Sequence, residues 1–257
     1  MPSSSSLLTT IGHLINLLFS VYSCKESKSI VGVSIKSFEL YTIAFALQLF
    51  ITNDVATAFI RFLCIILILY FINLVHNEEP YKSAFLASES HNDSFPHWKY
   101  ILLPCILLAM MTNFIEENFT LSQQDSSDGR RFAETVSLFC LYIESAALIP
   151  QIALLYRFRE IENFKWYNII ALCMQNVLYI VSVLFMNNTI LGQSNSSIGG
   201  IEGFEGGYDR KGTHYEGWFP LMIEFLAGLL QTSLCLRFVY LFVHIKFQGG
   251  GTLEKLQ

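Results

Sequence analysis

Seven long apolar runs set the terms for everything else this chain can do. They lie at 7–24, 38–52, 55–76, 99–115, 132–156, 166–186 and 217–245. Most have about the 17–25 residues that a helix needs to cross the hydrocarbon core of a bilayer. The second is the shortest. Backbone groups find no water in that core, so segments of this length cross it as helices. The pattern predicts one all-α integral membrane domain over 1–257 with seven transmembrane helices. Composition agrees: 14% of residues are charged, against about 25% in soluble proteins, and mean hydropathy is +0.44. The mild net charge of -5, without a Lys/Arg block or a Gly-rich phosphate loop, speaks against a nucleic-acid partner. No GxSxG, HExxH or nucleotide fingerprint is present, so an enzyme is not expected. The six cysteines sit within or at the ends of apolar runs and read as buried thiols. No His/Cys cluster suggests a metal, and no cofactor is implied.

The ends of the runs carry an orientation signal. Ten basic residues flank one side (Lys25, Lys28, Lys36, Lys82, Lys99, Arg157, Arg159, Lys165, Lys246 and Lys255), against four on the other (Arg130, Arg131, Arg210 and Lys211). Basic residues favour the cytosol, which predicts a lumenal N-terminus and a cytosolic C-terminus. Sequons at Asn118, Asn187 and Asn195 then fall on the lumenal side, and the one at Asn92 falls on the cytosolic side. MPSSSS supplies no basic n-region and no small-x-small site follows the first run, so it reads as a transmembrane helix rather than a cleaved signal. The Gly/Ser/Asn-rich stretch 187–216 reads as a flexible lumenal insertion, and 246–257 as a cytosolic tail.

Polar groups inside a bilayer cost several kcal/mol unless paired or hydrated, so each is a site candidate. The candidates are His13, Arg61, Glu134, Glu144, Glu224, Arg237 and His244, with Gln175 and Asn176 in the sixth run. Glu134 and Glu144 are ten residues apart, roughly 15 Å along a helix, too far to share a proton. Glu224 and Arg237 are separated still further, so each needs a partner on another helix. Glu144 reads either as interhelical glue or as the lining of a cavity for a polar ligand or protons. Pro150-Gln151 predicts a kink in the fifth helix, because proline removes an internal hydrogen bond.

LYIESAALIPQ at 141–151 resembles the fifth-helix signature of the K-D-E-L receptors, the ER-lumen-protein-retaining receptors, which reads much like YLESVAILPQ. VLYIV at 177–181, YEGWF at 215–219, AGLLQT at 227–232, GHLINLL at 12–18 and VGVSIKSFELY at 31–41 extend the resemblance in order. It implies a seven-helix, PQ-loop/SWEET-like fold of two three-helix bundles plus a linker helix. It also implies a receptor in the ER and Golgi membrane that binds K-D-E-L or H-D-E-L tails of escaped residents at mildly acidic pH. Such receptors return their cargo in COPI vesicles and release it at neutral pH. By the same resemblance His13 is the pH-responsive histidine, and Glu134 and Glu144 are glutamates of the lumenal cavity.

The cationic side departs from the family. Ser6 and Gln48 stand where it has arginines, and Ile51 where it has an aspartate. Gln175, Asn176, Ser182 and Met186 stand for tyrosine, arginine, asparagine and arginine, and Arg237 for an aspartate. Glutamine and serine supply no charge to a carboxylate. Arg61, in the lumenal half of the third run, is the candidate substitute cation. Lys246 and Lys255 are a thin remnant of a lysine cluster for COPI. The expected reading is a divergent retention receptor with a lumen-facing pocket. Two alternatives stay open: a small-solute transporter on the same scaffold, for which Gln48, Gln175 and Asn176 suit neutral ligands, and a paralogue that has lost ligand binding.

Overall fold

A computed structural model describes residues 4–28, 30, 33–52, 54–87, 95–119, 128–158, 166–196 and 218–249. Asn92, the part of the insertion beyond Ser196 and the tail beyond Gly249 lie outside the described residues, as do the side chains of Ser6, Asn118, Met186, Asn187 and Asn195. The described residues are helical, with no strand. The elements are α1 (Ser4–Ser27), α2 (Ile35–Ile51), α3 (Val55–Asn77), α4 (Tyr81–Ala87), a π-helical turn (Trp98–Leu102), α5 (Leu103–Phe119), α6 (Asp128–Ala146), α7 (Ile149–Phe158), α8 (Trp166–Ser196) and α9 (Trp218–Gly249).

Six segments among the described residues are long and apolar enough to cross a membrane: Leu7–Ser27, Val55–Asn77, Trp98–Ile115, Phe132–Arg157, Trp166–Leu184 and Met222–Phe247. The chain is thus a multi-pass helical membrane protein. The second run forms α2, whose 17 residues span roughly 26 Å against a hydrocarbon core of about 30 Å. It packs against α3, α6 and α7.

Local chemistry sets the helix boundaries. Asp54 caps α3, its carboxylate accepting the Thr57 N–H at 3.0 Å. Thr52 closes α2 through its N–H to the Gln48 carbonyl at 3.0 Å. Pro104 lacks the N–H that would continue an α-helix. The turn before it widens, and Leu103 N–H bonds to the Trp98 carbonyl, five residues back.

The fifth run differs from expectation. Instead of a single kinked helix, a turn at Ala147–Leu148 separates α6 from α7. Pro150 falls at the second position of α7, where a missing N–H costs nothing because first-turn amides have no intrahelical acceptor. The insertion also differs. Its first ten residues, 187–196, continue α8.

Helices α1 and α8 run in opposite directions. One end of the bundle gathers the start of α1 with the far part of α8, where the Thr9 and Ser182 hydroxyls share a 3.1 Å hydrogen bond. The other gathers the end of α1 with the start of α8, where Tyr167 Oη donates to Glu26 at 2.8 Å. We call these the first and second ends. Within α1–α3, α3 packs on both α1 and α2. Within α6–α9, α9 packs on α6, α7 and α8. Across the two groups, α1 packs on α8 and α2 on α6, while α5 lies against α6. Gly12 permits the first crossing: a Cβ there would sit 3.2 Å from the Gln175 Cα.

On α3, Cys64, Ile68, Phe71 and Val75 form a buried helical stripe, while Phe59, Phe62, Ile66 and Leu69 are exposed on the opposite side. An apolar outer face is what a lipid-facing helix carries. Five cysteines are buried and Cys173 is half-buried, all as thiols.

Candidate functional site

Glu144, on the last turn of α6 before the break, is the centre of the buried polar groups. It is 8% exposed. Gln48 Nε2, from α2, donates to its Oε1 at 2.5 Å. His13 Nε2, from α1, lies 3.8 Å from its Oε2. That separation exceeds hydrogen-bond reach and becomes an ion-pair contact when the imidazole is protonated. The carboxylate on α6 is thus bonded to α2 and faces an imidazole from α1.

The neighbours of His13 explain its placement. Tyr41 and Phe45 on α2 meet its ring edge-on, each with centroids 5.3 Å away. Together with Gln48 they line one face of α2, at helical spacing. The imidazole is 3% exposed, clamped between aromatic walls and a carboxylate.

The polar chain continues into α8. Asn16, one turn after His13, donates from Nδ2 to Gln175 Oε1 at 2.8 Å. Gln175 is fully buried and is part of the cluster. Asn176 is buried as well, but its Nδ2 donates to the Leu172 carbonyl of its own helix at 2.9 Å.

Arg61, half-buried on the second turn of α3, donates from Nη1 to the Thr52 hydroxyl. That hydroxyl donates to the Gln48 carbonyl at 2.6 Å. The guanidinium is near enough for its charge to act on both His13 and Glu144. It therefore forms the cationic edge of the cluster at the first end of the bundle. Glu134 does not join: it is exposed on α6, well over two turns before Glu144. Glu224 and Arg237 lie on α9 away from the cluster. The carbonyl of Glu224 accepts from Tyr179 Oη at 2.9 Å, and Arg237 stacks on Tyr240.

On the side of the cluster towards the second end, a cavity of about 70 Å³ is lined by Asn16, Ser20, Ser37, Tyr41, Gln151 and Asn168 among others. It has room for water and offers it polar partners. Gln151 has its own task there. Its Oε1 accepts the Ser34 N–H at 2.7 Å in a buried setting, which pins the entry of α2 to the start of α7. The expectation treated Gln151 only as part of a kink. Tyr41, Asn16 and the buried Gln231 were missed as well; a polar residue within an apolar run was the signal available for each.

A bundle of membrane-crossing helices, closed around a carboxylate, a histidine and an arginine, defines a multi-pass membrane protein with a buried polar site. The comparisons narrow this further. Residues 29–186 match the family model described as ER lumen protein retaining receptor. The chain is 28% identical to ER lumen protein-retaining receptor B of Arabidopsis thaliana, with 95% of this chain and 94% of the relative covered. It is 27% identical to the ER lumen protein-retaining receptor of Petunia hybrida, with 95% and 94% covered. It is likewise 27% identical to that of Dictyostelium discoideum, with 95% of each covered. This chain belongs to the ER lumen protein retaining receptor family.

Proposed function

We propose that the protein is a receptor that captures C-terminal retention signals of escaped ER residents and returns them from the Golgi to the ER, more tightly at mildly acidic than at neutral pH. The observation that carries this reading is the His13–Glu144–Gln48 cluster, with Arg61 at its edge, in a chain of the retention-receptor family. Family membership favours the receptor over the transporter and lost-binding alternatives.

The proposed layout is two three-helix bundles, α1–α3 and α6/α7–α9, joined by α5 in a seven-crossing, PQ-loop/SWEET-like arrangement. The packing supports it. In each group the last helix packs on the other members, and the first helix of each group packs on the second helix of the other. The N-terminus and first end are lumenal, and the C-terminus is cytosolic, as the basic residues indicate. Lys246 rests on the rings of Trp166 and Phe242, at 5.6 and 5.3 Å, so Lys255 carries most of any basic signal that the tail presents to COPI.

The ligand ends in a carboxylate and carries acidic side chains. Arg61 is the cation placed to meet that charge, with the Gln48 and Thr52 groups beside it. Protonation of His13 makes the Glu144 contact ionic and draws α1, α2 and α6 together. Deprotonation removes that attraction, so binding strengthens at lower pH.

The test is binding of labelled peptides ending in K-D-E-L or H-D-E-L to detergent-purified protein, against the same peptides amidated at the C-terminus. Saturable binding that needs the free carboxylate supports the reading. Equal binding of free and amidated peptides contradicts it.

A further inference from the structure

Outside the polar cluster, one groove holds a cation that has no acidic partner among the described residues. It runs between α7 and α9 near the second end, with a volume of about 340 Å³, and is lined by Leu155, Tyr156, Arg237, Tyr240, Leu241, His244 and Ile245. Arg237, Tyr240 and His244 recur at helical spacing on one face of α9. They form a column. The Arg237 guanidinium lies 5.9 Å from the Tyr240 ring centroid, and the Tyr240 ring stacks on His244 at 5.7 Å with planes 8° apart. Tyr156 is 70% exposed on the opposite wall. Among the described residues Arg237 has no acidic partner.

Depth decides what this column can meet. The Trp166 ring packs edge-on against Phe242 at 5.4 Å, and Lys246 lies over both rings. A tryptophan and a lysine together mark the membrane interface. Arg237 precedes Phe242 by five residues, roughly 8 Å deeper, and its side chain can snorkel over most of that distance. A cation facing acyl chains at this depth is costly unless an anion reaches it. The phosphate of a lipid in the same leaflet is the anion within reach, and guanidinium matches phosphate in a two-point contact. The tyrosines flank it as rings with one wet end. Buried Leu155 and Leu241 form an apolar floor, and half-buried Ile245 leaves an apolar surface that suits the acyl chains.

We propose that the groove between α7 and α9 binds an anionic phospholipid of the cytosolic leaflet, with Arg237 on the phosphate and Tyr156, Tyr240 and His244 around the headgroup. The leaflet assignment rests on the cytosolic C-terminus proposed above. The cytosolic leaflet is also the one rich in anionic lipid.

The test uses the full chain in nanodiscs of phosphatidylcholine containing phosphatidylserine, with retained lipid read by native mass spectrometry. Nanodiscs offer both leaflets, so failure here is distinct from a wrong orientation or a wrong receptor assignment. Wild type is expected to retain phosphatidylserine in excess of its share of the bilayer. Arg237→Gln is expected to retain it about tenfold less, the worth of one charge-assisted hydrogen bond. His244→Asn, on the same face, serves as a second variant if Arg237→Gln does not fold, with a smaller loss expected. Unchanged retention in these variants overturns the site, as does wild-type retention no greater than that of phosphatidylcholine. Displacement of the lipid by inorganic phosphate overturns the lipid assignment, and an Arg237-dependent dimer overturns it in favour of a second copy of the chain.

Discussion

Gln151→Met isolates the contact that joins the start of α7 to the start of α2. Methionine keeps the length and flexibility of glutamine and removes the acceptor. The Ser34 N–H then loses the oxygen at 2.7 Å that it uses in the native state. Ser34 is fully buried and Gln151 is 5% exposed, so bulk water does not replace that oxygen freely. Losing one partner of a buried neutral hydrogen bond costs about 1–3 kcal/mol. For a chain of this size that corresponds to a fall of about 2–12 °C in melting temperature. The assay is thermal unfolding in detergent, followed by tryptophan fluorescence, with hydrogen exchange of the peptide covering residue 34. The expected result is a lower melting temperature together with faster exchange at Ser34. An unchanged melting temperature with slow exchange at Ser34 would refute the idea that Gln151 holds the entry of α2. A fall in melting temperature without faster local exchange would locate the loss elsewhere, in the packing around the cavity.

Gly228→Ala places a Cβ 2.6 Å from the Tyr179 ring, which is held by its hydroxyl on the Glu224 carbonyl. Overpacking of about 1–3 kcal/mol should appear as a lower melting temperature, and Tyr179→Leu in the same chain should recover part of it. Glu144→Ala leaves the Gln48 amide and His13 without their shared carboxylate, so folded yield should drop and any surviving peptide binding should lose its pH dependence; retained pH dependence would remove Glu144 from the switch. Arg61→Ala should weaken binding of a free-carboxylate peptide by about tenfold or more, from the worth of a charged hydrogen bond, with no effect on an amidated one. Unchanged binding of both would remove Arg61 from the ligand site.

The crossings were legible because a bilayer imposes length and polarity on each segment, and five of the runs map onto single helices. Glu144 was legible for the same reason: a carboxylate within an apolar run must be partnered. Its partners were not. Pairing with Gln48 and His13 depends on the relative rotation and depth of three helices, which no single run encodes. Glu134 carried the same signal as Glu144, yet it lies on the exposed side of α6, because a carboxylate within an apolar run does not by itself say which side of the helix faces the bundle. The proline marked the right place but the wrong deformation. At the second position of a helix it is tolerated, so the chain breaks just before it and α7 starts afresh. The Asn/Ser-rich composition of 187–196 suggested a flexible loop, but no proline interrupts α8, and adding one more hydrogen-bonded residue to an existing helix is easy.

The most direct test of the receptor reading is the affinity of a free-carboxylate K-D-E-L or H-D-E-L peptide at about pH 6 and about pH 7.4, on either side of the ordinary histidine range, for wild type and His13→Gln. The account predicts tighter wild-type binding at the lower pH and a flat response in His13→Gln. Binding that is independent of pH in wild type, or a pH response that survives in His13→Gln, would contradict it.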